Sequence, residues 1–526
     1  MFVAAVDVGS TSARAAIVDG RGHILGRSSC PILVNRPVTD HAEHSSDDIW
    51  AAVCGAVRAA RIAAGVPAAT VRGIGFDATC SLVLLDTAGH PTTVSTTGED
   101  RWNVVMWADH RAIAEADEIT AGRHRVLDSV GGVMSPEMQM PKLLWLKRQL
   151  PASWQRYCRA FDLADFLVWR ACGKAAASAC TVTCKWGYLN HEAGWQTDFL
   201  AAIGLADLNQ RAGLSERARP LGSAAGRLTV AAAADLDLTT ECTVAVGIID
   251  AHAGGLGVLG GIDADGLNHS IAVVSGTSTC HMAVSRAPRA IPGVWGPYFG
   301  AMFPALWLNE GGQSATGALL DHVLDWHAAG PKLGPERHDT VAARVETLRA
   351  AHGPGLRQQL LVLPDFHGNR SPLADPEARG VVMGLTLDSG FDSLVELYYA
   401  AAVGIALGTR HILDAFNGAG YAIERLHLTG GHAASPLLVR LYADVTGCTV
   451  VLPAEPDGVL IGTAALGAAA ASIHPDLAAA AAAMARPGRE IAPDPSVGEF
   501  FDRRYQAFLA MHEHRRAIDR ILHHAV

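Results

Sequence analysis

The chain has 526 residues, of which 49% are hydrophobic, and a formal net charge of −10. Its length exceeds one ordinary core and predicts two large domains with a ligand cleft between them. The acidic balance excludes general attraction to nucleic acid or anionic membrane surfaces, and no run approaches the roughly 18 uninterrupted apolar residues of a membrane span.

The opening lacks a basic region, and Asp7 interrupts its apolar stretch, so the reading is a cytoplasmic protein without a signal peptide. Apolar runs over 2–8, 13–19 and 23–29, separated by the tip at Gly9–Ser12 and the turn "DGRG", predict two successive hairpins. Residues 45–65 carry helical spacing opened by Ser45 and Asp47, and "VRGIGFD" reads as the next strand. This is the start of an α/β domain with a sheet of mixed direction. Two histidines in "HAEH", His41 and His44, do not form a metal-binding helix motif and read as solvated loop residues. The ten cysteines include no C-x-x-C pair. The closest, Cys180 and Cys184, have no second ligand pair beside them and read as reduced, buried thiols.

Near residue 271 the opening pattern returns. "IAVVSGTSTCHMAV" is again strand, Gly-hydroxyl tip and strand, with Gly276 opposite Gly9 and Thr277, Ser278 and Thr279 opposite Ser10, Thr11 and Ser12. A third tip, Gly430–Gly431, follows strand 425–429 and precedes a helix near Ser435 and Pro436. The domain boundary is placed at 258/259, near 255–262 in "GGLGVLGGID" (254–263), where glycines could absorb a hinge motion. The alanine-rich stretch 478–485 predicts a short helix on the outside of the second domain, and 499–524 a terminal amphipathic helix.

Glycine lets backbone amides approach a phosphate closely, and adjacent hydroxyls donate to its oxygens. Asp7 would repel that phosphate unless a cation lay between them, which suggests a Mg²⁺ anchor, while Arg14 could add positive charge. The alternative is an ordinary surface hairpin. Three such tips together suit a nucleotide held across a cleft. Asp250 ends an apolar strand in "VAVGIIDAHAGGLG"; it could accept a hydroxyl proton during phosphoryl transfer, or simply cap the following helix.

Together these segments resemble the FGGY family of carbohydrate kinases along nearly the whole chain. The resemblance rests on "VDVGSTSARAAIVD", "GIIDAHAGG", "SGTSTC", "NEGGQSATGALLDH", "HGNRSPLADPEARG", "LTGGHAASPLLVRLYADVTG" and "EPDGVLIGTAALGAA" in that order. It implies a two-domain actin-like, ribonuclease-H-like fold, with a sugar-binding N-terminal domain (1–258) and an ATP-binding C-terminal domain (259–526). "GFDATCSLVLLD", "VVMWADHRA", "GGVMSPEMQMPKLLWL" and "CTVTCKWGYL" are similar to the ribulokinase branch, particularly D-ribulokinase-like members.

That resemblance implies Thr79, Cys80, Lys185 and Glu310 at the sugar, with Asp250 as base. It implies ATP on Gly9, Ser10, Thr11, Ser12, Arg14, Gly276, Thr277, Ser278, Gln313, Gly430, Gly431 and Ser435, and Mg²⁺ at Asp7 and Asp250. The expected partner is a small sugar or polyol, with no nucleic acid or membrane, and the family implies a homodimer. Ribitol, L-ribulose, xylulose or another polyol stands as an alternative to D-ribulose, and an actin-like or chaperone-like nucleotide-dependent binding protein or sensor as the non-enzyme alternative.

Overall fold

The computed structural model describes residues 1–526 apart from 193, 357–358 and 524–526. Strands Phe2–Val8, Ser12–Asp19 and Ile24–Pro31 form the two expected hairpins. Strand Val71–Ala78 lies parallel to the opening strand, and Thr243–Ala245 extends the sheet on that side. The predicted helix spans Ser46–Ala64. Ser45 accepts a hydrogen bond from Asp48 N, and Gly65 closes the helix at φ 65°, the left-handed conformation that favours glycine. Its apolar stripe seals one face of the sheet with Ile49, Val53 and Val57 buried.

The second half repeats this plan. Ser270–Ser275 and Thr279–Ser285 make an antiparallel hairpin, Trp307–Gln313 adds antiparallel to it, and Arg425–Gly430 followed by Thr449–Pro453 add in parallel on the other side. Two sheets with the same order, each covered by helices, form the two-domain actin-like α/β fold. Helix Phe391–Gly418 is long and apolar enough by composition to cross a membrane, but 72% of its apolar window is buried, as a core helix of the second half.

The halves meet through two crossed helices, Asp250–Leu259 and Gly458–Ala470. A Cβ on Gly257 would stand 1.9 Å from Gly458 O, and one on Gly462 1.9 Å from Ala253 O, so glycine is required for the backbones to touch. The glycines of "GGLGVLGGID" therefore begin inside a continuous helix and serve close packing. The Gly458 helix also lies on the first sheet, where Thr463 Oγ1 donates to Asp77.

Two expectations change here. Helix Leu477–Met484 is not on the outside: its Leu477, Ala480, Ala481 and Met484 are buried in a core shared with Val3, Ala5 and Val18 of the first sheet. An all-alanine run gives no face to read, so tertiary contacts decide its place. His44 is not solvated either. It is fully buried, and its Nε2 lies 3.0 Å from Ser10 O. The terminal helix is Gly498–His523; residue 524 of the predicted span lies outside the described residues.

Candidate active site

A cavity of about 610 Å³ opens between the halves, with all three glycine tips on its wall. The first tip is held from behind: Gly9 N donates to Ser12 O at 3.0 Å, Trp107 Nε1 donates to Ser10 Oγ at 2.9 Å, and His44 takes the Ser10 carbonyl. The second tip is tied by Gly276 N to Ser278 O at 2.8 Å, and its carbonyls accept amides from Thr316, Gly317 and Ala318. At the third, Gly430 has φ 86° and a Cβ there would stand 2.0 Å from Ser275 O, whereas beside Gly431 the space is open. These braces leave Gly9, Ser10, Thr11, Ser12, Gly276, Thr277, Ser278, Gly430 and Gly431 facing the cavity, together with Arg14.

Asp250 is the first residue of its helix and also lines the cavity. Its Oδ1 accepts from Ala251 N at 2.7 Å, leaving the other oxygen available. Burial raises its carboxyl above the ordinary range, in the direction that suits a general base. Asp7 lies beneath the first tip, buried, opposite Asp77 in register and ion-paired with Arg14. Burial lifts it to about 6 against the pull of Arg14, with Asp250 adding to the rise. Beyond the ion pair, Asp7 meets the neighbouring Asp77 carboxyl. Burial and Asp7 raise Asp77 in turn, and Asp250 adds to the rise of both, an arrangement that a divalent cation relieves, so Asp7 and Asp250 fit Mg²⁺ by donor type and by their unmet charge.

The other end of the cavity carries Thr79, Cys80, Lys185 and Glu310. Thr79 N donates to Val8 O at 3.0 Å, which ties this wall to the first tip. Lys185 Nζ sits 4.0 Å from the centroid of the Trp295 ring. Burial disfavours its charge, but Cys80, Glu310 and Glu137 more than offset this and its pKa rises. Burial works against Glu310 too, yet Lys185, His252 and Arg370 bring it down to about 2, so it is a carboxylate at neutral pH.

Two of the residues expected at the nucleotide lie elsewhere. Gln313 points into the second-half core, where its Nε2 donates to Ile405 O and Thr409 Oγ1, both at 3.0 Å. Ser435 caps helix Pro436–Thr446 by accepting from Leu438 N. Each satisfies local backbone or core polarity instead of facing the cavity. Among the side chains on the wall that the sequence did not point to are Trp295, Glu137 and Arg370. Arg370 Nη2 meets Glu137 Oε1 at 3.2 Å, and its guanidinium lies 5.8 Å from the Trp107 ring and 5.3 Å from that of Trp295. Glu137 and Arg370 lie in the quoted segments "GGVMSPEMQMPKLLWL" and "HGNRSPLADPEARG", but nothing local says that Arg370 crosses to the first half.

A duplicated sheet with glycine tips facing a shared carboxylate is an actin-like arrangement suited to holding a nucleotide, and family comparison supplies the class. Residues 2–257 match the N-terminal domain and 271–471 the C-terminal domain of the FGGY family of carbohydrate kinases, to which this chain belongs. It is 48% identical to an FGGY carbohydrate kinase domain-containing protein of Danio rerio, covering 98% of both chains. It is 37% identical to a D-ribulokinase of Saccharomyces cerevisiae, covering 89% of this chain and 72% of that one. The xylulose kinase structure from Rhodospirillum rubrum superposes with a TM-score of 0.81 at 23% identity, over 98% of this chain and 99% of that one, a likeness of fold. Kinases of this family use ATP as the phosphoryl donor, and a sugar kinase acts on a small molecule. The non-enzyme reading is set aside.

Proposed function

We propose that the chain phosphorylates the terminal primary hydroxyl of a ketopentose, D-ribulose, at the expense of MgATP. The observation that carries this reading is the position of Asp250, in one cavity with the glycine tips of both halves on one side and the Lys185–Glu310 wall on the other. Similarity to the yeast D-ribulokinase supports the choice of sugar.

Lys185 and Glu310 bind sugar hydroxyls, Thr79 and Cys80 close the wall beside them, and Asp250 receives the proton of the attacking hydroxyl. The oxygen then attacks the γ-phosphorus in line. Ser10, Thr11, Ser12, Arg14, Thr277, Ser278 and the tip amides hold the phosphate oxygens, while Gly430 and Gly431 leave room for adenosine. Mg²⁺ at Asp7 and Asp250, when bound, offsets phosphate charge. All ten cysteines are free thiols, which supports a reducing, cytoplasmic address.

The test is ADP release with MgATP against D-ribulose, L-ribulose, D-xylulose, ribitol and glycerol, with Asp250→Asn as the blank. Strong base-dependent turnover on D-ribulose supports the reading; turnover confined to another polyol replaces the sugar and keeps the mechanism.

A further inference from the structure

Helix Ala179–Lys185 places Cys180 and Cys184 four residues apart, on the same face. The Asp250 helix brings His252 against them from 72 residues away. All three residues are buried. Cys180 Sγ lies 3.0 Å and Cys184 Sγ 3.9 Å from His252 Nδ1, and the three donor atoms fall within 4.8 Å of one another.

Those separations bracket the tetrahedral edge that a d¹⁰ ion demands. Metal–sulfur bonds of about 2.3 Å and metal–nitrogen bonds of about 2.0 Å set N···S near ~3.5 Å. The opposite ring nitrogen completes the pattern. His252 Nε2 is 3.0 Å from Glu310 Oε2, so an Nε2–H donated to that carboxylate leaves the Nδ1 lone pair aimed at the sulfurs. The carboxylate–imidazole–metal arrangement needs those two nitrogens in those two roles.

We infer that Cys180, Cys184 and His252 form a binding site for one thiophilic d¹⁰ cation, of the Zn²⁺ class. Loading forms two S–metal bonds and one N–metal bond and releases the thiol protons to solvent; the two thiolates balance a divalent charge. Three protein donors leave one coordination position for a small ligand. The sequence offered only the Cys-x₃-Cys pair, because the third ligand is remote in the chain.

The site is independent of which sugar is phosphorylated, and so is its test. The full chain is produced in zinc- or cobalt-supplemented medium, purified without chelators and assayed for metal content, with absorption spectroscopy of the cobalt form. The expected result is one metal per chain and a thiolate-to-cobalt charge-transfer band. Cys184→Ser and His252→Gln should each weaken metal retention by more than the roughly 10–100-fold typical of losing an outer-shell partner. Cys448→Ser, buried in the second half, should leave it unchanged. Wild-type chain that carries substoichiometric metal and shows no charge-transfer band overturns the inference, whatever the variants do; so does undiminished binding by folded Cys184→Ser.

Discussion

The two halves use one sheet topology to opposite chemical ends. In the first, Asp7 on the opening strand pairs in register with Arg14 and, across the parallel neighbour, with Asp77. In the second, the corresponding position is Val274, which pairs with Cys280 and with Thr429. The carboxylates Asp7, Asp77 and Asp250 therefore lie on the first-half side, while the second-half tips offer amides, hydroxyls and space. Duplicating a fold supplies two symmetric cradles. In the proposed mechanism, breaking the charge symmetry gives one of them the base and the cation site and leaves the other to accept an anion.

Removing the charge at the proposed base should have the largest effect. Asp250→Asn is expected to lower turnover by at least ~100-fold while ADP still binds, because general base assistance is typically of that size. Near-normal turnover in a steady-state assay would break the comparison at its centre.

Restoring the symmetry is the next most severe change. Val274→Asp places on the second half the carboxylate that the first half has at Asp7, on the wall of the same cavity. It should weaken ADP binding roughly tenfold through like-charge repulsion, as read by calorimetry. Unchanged affinity would mean that the two tips do not share one anionic ligand.

The halves should also answer acid differently. In the second, burial holds His427 and His432 down to about 4 and His281 to about 3, so they stay neutral in the fold. Unfolded, they charge near about 6.5. As pH falls below about 6.5 the unfolded state takes protons first, and stability is lost progressively down to about 4. In the first half burial raises Asp162 to about 7 and Asp165 well above the carboxylate range. There the fold takes the proton first, so stability rises as pH falls from about 7 towards about 4. His44, held down to about 4, and His41 and His110, also lowered by burial, oppose this in the first half, as Asp365, raised by burial to about 6, opposes the histidines in the second. Hydrogen exchange compared at about pH 7 and about pH 4.5 should show protection falling more in the second half; equal loss would contradict this.

The smallest effect sharpens the corrected assignments. Ser435→Ala should cost about 1 kcal/mol in a denaturant melt through loss of a helix cap and leave the KM for ATP unchanged. A raised KM would return Ser435 to the nucleotide site.

Much of this was legible because it is local. Turn residues fix the hairpins around Gly9 and Gly276, and the Ser45 cap and 3.6-residue spacing fix the helix behind them. Asp250 was legible as a carboxylate at a strand-to-helix junction. What escaped depends on partners distant in the chain. Gln313 has the composition of a ligand contact, but helix Phe391–Gly418 absorbs its amide. Arg370 reaches Glu137 across the cavity, His44 is drawn inside by the Ser10 carbonyl, and His252 joins two cysteines from another helix. Hydroxyls and charges show their chemistry in the sequence, and their addressees only in the fold.

The glycine contact between the crossed helices has a mechanical consequence. Gly257, where the backbones touch, lies seven residues along the same helix from Asp250, a lever arm of about 10 Å. Any rotation of the halves that preserves this contact displaces the base less than it displaces walls farther from the axle. In the proposed mechanism the base therefore keeps its station while the rim moves, and a single methyl group at Gly257 or Gly462 is enough to force the two backbones apart.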